Sequence, residues 1–378
     1  MALGFAGRFV WCFVWRLYGI AACFSFSSVR IVSSMNIPLH ERIMTRHNNL
    51  NFIRFVAALL VIMSHSFSVT EGAYAQGTPL DVITQTRLSF GGVAVAFFFF
   101  YSGLLIAKSC ETHKRLPDFF NKRIVRIFPE LIVCVLVSVC GIGLAVTTLS
   151  PLAYLTNPQS YRYLLNMIMI PVHTLPGVFA DNPYPLVVNA SLWTIPAEFI
   201  CYVGCFALYK ACKFRPRVMA WLTCAVAVLV VLYMVCAGNY MLSFVRALVE
   251  FYLGMLAWTW RTRVVLSRRL AALAGMLWLL LVLVGKDTLA MILVFPYLAL
   301  WLGWGTSPVC EHFSEKQDYS YGIFLWGFPV QQLLVHMMPG MLWWENMLLG
   351  WIVAFTCAFA STQLLRYARA HMYGRARS

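Results

Sequence analysis

Arg54 and His65 stand 11 residues apart in a stretch that is otherwise almost wholly apolar. On an α-helix that spacing is close to three full turns, so both side chains share one stripe, separated by roughly 16 Å along the axis. A cation at one end of such a helix suits an anionic group. An imidazole further along, titrating near neutrality, suits removal of a proton from a hydroxyl. The plain structural account is a snorkelling arginine and an interfacial histidine.

Three more places carry ionisable groups at or within apolar runs, where each is a functional candidate because burial in lipid is costly. Arg123 and Arg126 are at i, i+3 and share a helix face. Two guanidiniums at a membrane edge suit phosphate oxygens, which arginine binds bidentately, although simple anchoring would use the same residues. Glu198 lies about eight residues into its apolar segment, at a depth comparable to His65, so a Glu198–His65 contact is geometrically possible. Arg246 and Glu250, at i, i+4, are placed to pair with each other.

The elements that position these groups follow from composition. Of the 378 residues 61% are hydrophobic and only 11% charged, against roughly 25% charged in an ordinary soluble domain. So few charges cannot cover a water-soluble core, and the chain reads as an all-α, polytopic membrane protein. A span needs about 20 apolar residues. Ten such segments occur, at 50–69, 88–107, 128–148, 190–209, 218–236, 241–260, 270–285, 288–304, 319–338 and 342–364. With the start of the first in the cytoplasm, the loop lysines and arginines after residue 40 all fall inside except Arg87, Arg162 and Lys286. That asymmetry predicts about ten transmembrane helices with both termini cytoplasmic. The formal charge of +15 is then a topology signal, and no basic stripe interleaved with aromatics points to nucleic acid.

The loop 149–189 is the one long outer connection. Its prolines, Pro171 and Pro176 among them, predict a re-entrant or interfacial lid and not a further span. The 12 cysteines are scattered without metal-ligand or C-x-x-C spacing, so neither a metal nor a disulfide framework is expected. Residues 1–47 read as an N-terminal extension. Its first 34 residues are apolar but interrupted by Arg8, Arg16 and Arg30, and are either an interfacial helix or a start-site artefact, with Met35 and Met44 as alternative starts. The body of the protein is expected over 48–366, with 367–378 as a basic cytoplasmic tail.

These motifs together resemble the acyltransferase 3 family of integral membrane acyltransferases, over about residues 48–340. Arg54 and His65 resemble its first-helix signature. Gly91-Gly92-Val93 through Phe98-Phe99-Phe100-Tyr101-Ser102-Gly103 looks like its second helix, and Arg123-Ile124-Val125-Arg126 like its Arg-x-x-Arg motif. Ser191-Leu192-Trp193 through Glu198-Phe199 and Asp318-Tyr319-Ser320-Tyr321-Gly322 through Trp326 are similar to two later helices. Gly327 departs from the pattern, since many members have a histidine there, and the end of the chain lacks the Glu-Pro of many members. The form expected is the stand-alone one, without an extracytoplasmic hydrolase-like domain.

The resemblance implies an O-acyltransferase of a bacterial inner (plasma) membrane. It would move an acyl group, usually acetyl, from acetyl-CoA at the cytoplasmic side to a hydroxyl of an envelope or extracellular polysaccharide or glycolipid. Arg54, Arg123 and Arg126 would hold the CoA phosphates, His65 would act as general base, and Glu198 would orient it or balance its charge. The partners implied are the acyl-CoA donor, a carbohydrate or glycolipid acceptor and membrane lipids, with no metal. A transporter or flippase for a lipid-linked glycan is the alternative: it would move an unmodified substrate and consume no acyl-CoA. A non-catalytic scaffold would tolerate neutral replacement of Arg54, His65 and Glu198.

Overall fold

Apolar runs in lipid have no hydrogen-bond partner for their backbone except themselves, so they form helices. The computed structural model describes residues 37–45, 48–72, 77–85, 87–113, 115–236, 242–306 and 318–375. Among these, ten long helices correspond to the ten expected segments. They are α1 (Leu50–Glu71), α2 (Phe90–Thr112), α3 (Leu116–Val146), α4 (Ala190–Cys212), α5 (Pro216–Cys236), α6 (Ser243–Thr259), α7 (Arg268–Leu283), α8 (Asp287–Gly305), α9 (Ser320–Met337) and α10 (Trp343–Arg375). Seven of them, all but α6, α7 and α9, are long and apolar enough to cross a membrane. The protein is an all-α integral membrane protein.

The three exceptions have physical reasons. Helices α6 and α7 are 17 and 16 residues long. Helix α9 carries Gln331 and Gln332, both fully buried. Gln331 donates to the carbonyl of Ile62 and to Asn346, and Gln332 donates to the carbonyls of Tyr184 and Val187. Polar groups satisfied in this way belong inside a helix bundle and not against lipid. Helix α9 is accordingly the most enclosed: it packs on α1 and α10. Helix α5 is the opposite case, with Met219 its one buried residue, as a lipid-facing helix requires.

Helices α2 and α6 make the closest crossing. A Cβ at Gly103 would run into the Phe251 carbonyl, and one at Gly254 into the Phe100 carbonyl. Small residues on each helix let the two backbones touch, which is how membrane helices gain van der Waals contact without a hydrophobic driving force.

Several boundaries differ from the sequence reading. Helix α3 begins at Leu116, twelve residues earlier than the apolar segment, and carries Pro129 within it. Helix α10 continues to Arg375, so the expected tail is largely helical. Residues 37–45 belong to the fold. Ile37–Pro38 pairs antiparallel with Val265–Leu266, Leu39 and Ile43 are buried, and Lys108 donates to the Ile43 carbonyl. Residues 1–34, and the question of their nature, lie outside the described residues.

The segment 149–189 is folded onto the bundle. It contains the short helices Pro151–Thr156 and Pro158–Arg162 and a 3-10 turn, Tyr163–Ile168. Tyr154, Tyr163, Val178 and Phe179 are buried. The Tyr154 hydroxyl donates to the Val139 carbonyl, and Asn182 donates to the side-chain and backbone oxygens of Gln332.

Candidate active site

Arg54 sits in the second turn of α1, at the arginine-rich end of the bundle. Its Nη1 lies 2.9 Å from Asp318 Oδ2, and Arg126 Nη2 of α3 lies 3.2 Å from the same oxygen. Asp318 immediately precedes α9. Its Oδ1 accepts from the Ser320 amide at 3.0 Å and the Ser320 hydroxyl at 2.5 Å. Burial opposes ionisation of this carboxyl, but Arg54, Arg126 and the Ser320 hydrogen bonds outweigh it and hold Asp318 below the usual carboxylate range. The sequence reading had quoted Asp318 as part of a motif and given it no role. A lone carboxylate at the basic end of an apolar segment was the available signal.

One turn deeper, Glu198 of α4 accepts hydrogen bonds on Oε1 from Ser102 of α2 at 2.6 Å and from Tyr202 at 2.5 Å. Tyr202 is at i+4 on the same helix, so that contact follows from helical periodicity. Glu198 lines a small cavity of about 50 Å³ together with Arg54, Phe98, Tyr321 and Phe324. The structure thus groups Glu198 with Arg54. No hydrogen bond joins it to His65 among the described residues.

His65 lines the next cavity outward, of about 170 Å³. Its ring packs edge-on against Phe328 of α9, with centroids 5.1 Å apart. Hydroxyls of Ser64, Ser89, Ser191, Thr194 and Ser243 share this lining with Trp193 and Arg246. Ser89 caps α2 by accepting from the Gly92 amide at 2.8 Å, and Asn189 caps the turn that carries Ser191, accepting at 2.9 Å. The capped helix ends place these hydroxyls. Val95, Thr194 and Phe324 line both the His65 cavity and the Glu198 cavity, so the two adjoin. No residue of 149–189 lines the His65 cavity. The segment reaches this site indirectly, through its last residue, Asn189, which caps the Ser191 turn and whose carbonyl lies 2.9 Å from His173 Nδ1.

At the basic end a third cavity, of about 290 Å³, is lined by Arg126, Glu130, Asp318 and Tyr321, among others. Tyr321 also lines the Glu198 cavity. Three separate cavities with shared wall residues therefore run from the arginine-rich end, past Arg54 and Glu198, to His65.

Arg123 is not on this path. Its Nη1 donates to the Phe119 carbonyl at 2.7 Å, and its guanidinium sits 4.1 Å from the Phe119 ring centroid. It is buried, whereas the Arg126 side chain is half exposed. Sharing a helix face did not make the two guanidiniums a pair. They should respond differently to substitution. Arg123→Gln removes a buried guanidinium that packs on the Phe119 ring and adds a second donor to the Phe119 carbonyl, and should lower the yield of folded protein with little effect on donor requirement. Arg126→Gln should fold normally and raise that requirement. Equal effects of both on the donor concentration for half-maximal rate would contradict this division. Among the described residues the expected Arg246–Glu250 pair is an attraction at a distance and not a hydrogen bond: Arg246 Nη2 donates to the Arg87 carbonyl at 3.0 Å, and neither buried Glu250 carboxylate oxygen has a described hydrogen-bond partner.

A family model described as an acyltransferase domain matches residues 47–367. The chain belongs to the acyltransferase 3 family. It is an acyltransferase, an integral membrane enzyme. It is similar to a protein named O-acetyl transferase from Shigella phage Sf6, with 26% identity over 85% of this chain and 96% of that protein. It is also similar to nodulation protein 10 of Rhizobium leguminosarum bv. viciae, with 30% identity over 44% of this chain and 45% of that one. No solved structure matches. In this acyltransferase the motifs that carried the resemblance lie on α1, α2, α3, α4 and α9, and these line the three cavities together with α6 and α10.

Proposed function

We propose that this acyltransferase moves an acetyl group from acetyl-CoA, bound from the cytoplasmic side, to a hydroxyl of an envelope or extracellular glycan. The bundle would cross the bacterial inner membrane ten times, with both termini cytoplasmic. The observation that supports the reading is the row of three cavities with shared walls between the Arg54–Asp318–Arg126 cluster and His65. The name of the phage relative, O-acetyl transferase, supports acetyl as the group transferred.

Arg54 and Arg126 are the groups for the donor's diphosphate, since guanidiniums bind phosphate oxygens bidentately. The pantetheine arm is about four residue-lengths of chain and spans roughly 14 Å when extended. That is close to the rise from Arg54 to His65, roughly 16 Å. The thioester would thus reach the imidazole. His65 takes the proton of the acceptor hydroxyl as its oxygen attacks the thioester carbonyl. The carbon–sulfur bond breaks, and the proton is passed to the departing thiolate. Direct attack and a transient acyl-enzyme both satisfy this balance. Glu198, held by Ser102 and Tyr202, stands beside the arm and opposite Arg54. The hydroxyl-rich lining with Trp193 supports a sugar, which offers both hydrogen-bonding edges and an apolar face.

The test is NMR of ester groups on the surface glycans of the host, comparing the wild type with a deletion strain. An acetyl resonance that disappears on deletion and returns on complementation is expected. Unchanged ester content, with an unmodified glycan failing to reach the surface, would favour a transporter and overturn the proposal.

A further inference from the structure

Among the described residues that line the His65 cavity, Arg246 is the one that carries a full charge. It is buried near the start of α6, where a cation within a membrane bundle is costly. Local structure does not account for it. The start of α6 is the positive end of that helix dipole. Nη1 also lies against the start of α2, since a Cβ added at Gly92 would be 3.7 Å from Nη1 and 3.2 Å from Ser89 Oγ. Two helix N-termini disfavour a cation and favour a negative charge that comes to it. Pairing with Glu250 does not account for it either. That carboxylate lies one turn along α6 and attracts Arg246 from a distance, while the guanidinium turns to the Arg87 carbonyl, 3.0 Å from Nη2. This bond fixes the direction of a planar fork with five N–H donors, enough to hold that carbonyl and a substrate oxygen together. The same lining gives a second, independent sign of a ligand. Ser191 is 3% exposed, its backbone is fixed by Asn189 and Thr194, and its hydroxyl oxygen has no hydrogen-bond partner. A buried hydroxyl left unsatisfied in a polar cavity fits a partner that a substrate brings.

In acyl transfer, negative charge develops on the carbonyl oxygen, and a fixed donor aimed there stabilises the transition state. We propose that Arg246 is the oxyanion-holding residue of this acyltransferase, donating to the carbonyl oxygen of the acetyl thioester beside His65. The proposal rests on the acyl-CoA reading above. As the acceptor oxygen bonds to the carbonyl carbon, the carbonyl π pair moves onto its oxygen and His65 takes the acceptor's proton. The guanidinium holds that oxyanion and keeps its own protons. The pair then returns to re-form the carbonyl, the carbon–sulfur bond breaks, and the proton passes from His65 to the CoA thiolate. Arg54 and Arg126 hold the donor at one end, and Arg246 acts on its reacting atom at the other.

The experiment compares binding of acetyl-CoA with that of S-ethyl-CoA, the thioether that lacks the carbonyl oxygen, on purified full-length protein in lipid nanodiscs. The rate at which acetyl esters accumulate on the host's surface glycans is followed by NMR for the same variants. The wild type should prefer acetyl-CoA by about three- to tenfold, the scale of one hydrogen bond. Arg246→Met should bind the two ligands alike, keep the wild-type affinity for S-ethyl-CoA, and form esters about 10²–10³-fold more slowly. Arg246→Lys, which keeps a charged donor, should retain part of the preference and part of the rate. If the methionine variant does not fold, the lysine variant decides: a reduced preference with unchanged S-ethyl-CoA affinity supports the role. A variant that keeps the full preference, or that weakens both ligands equally, overturns it, as does an unchanged rate in Arg246→Met. If the wild type binds neither ligand, the acyl-CoA reading falls and the proposal with it. If the wild type binds both ligands alike, only the role of Arg246 falls.

Discussion

His65→Ala should abolish acetyl transfer while leaving insertion and folding intact. The imidazole makes one described ring contact, with Phe328, and no described hydrogen bond holds a helix through it. Its removal enlarges a cavity that already exists and should cost little stability. The chemistry would lose its base. General-base catalysis is worth about 10²–10⁴-fold, so the glycan acetyl signal should fall below detection at equal protein level. His65→Gln separates the two roles a histidine could play there, because glutamine can hydrogen-bond a sugar and cannot take its proton at neutral pH. Both variants should be inactive. Wild-type-like ester content in either would remove His65 from the mechanism, and normal ester content in both would point to a base elsewhere on the cavity wall.

The second large effect concerns Arg54 and Asp318. Arg54→Gln strands a carboxylate that retains only Arg126, and Asp318→Asn leaves Arg54 without its partner at a side-chain exposure of 16%. Breaking a fully buried pair costs about 3–5 kcal/mol, and partial exposure here lowers that to roughly 1–3 kcal/mol. The double variant, Arg54→Gln with Asp318→Asn, removes both charges and should recover most of the stability lost by either. It should not recover activity, because the donor's diphosphate has lost a guanidinium. Thermal unfolding and acetyl-CoA turnover measured on all three variants give the two readouts. Stability and activity recovering together would mean that Arg54 is structural only. The pH dependence follows from the depressed Asp318 carboxyl. Its contribution is complete above the unfolded value, near pH 4, and is lost as pH falls through the lower folded value. This contact should therefore not shape the activity profile at neutral pH.

The helices were legible in the sequence because hydropathy depends on runs of residues and not on contacts. Arg54 and His65 were legible as a pair because both sit on one helix, where spacing alone decides the face. The partners of Glu198 were half legible: Tyr202 lies one turn along, but Ser102 comes from another helix and only packing reveals it. The depth of Glu198 was misjudged for the same reason. Counting residues along α4 does not say which level of α1 it meets. Arg123 was misread because α3 starts at Leu116, well before the apolar run, which places Phe119 one turn below the guanidinium and gives it an aromatic face and a carbonyl to occupy.

The carboxylate of Asp318, shared by two guanidiniums, has a consequence for how a donor would be held. The resting site is already partly neutralised, one carboxylate being shared by two guanidiniums, so an arriving diphosphate would have to compete with an incumbent anion tethered to the protein. Loading then becomes an exchange of one anion for another, and its net gain is the difference between two similar attractions. Such a site fills at working concentrations of a common metabolite and lets the spent carrier leave, because the displaced carboxylate remains close by to reclaim its place. A membrane enzyme that must turn over after each transfer is served by that reversibility more than by tight capture.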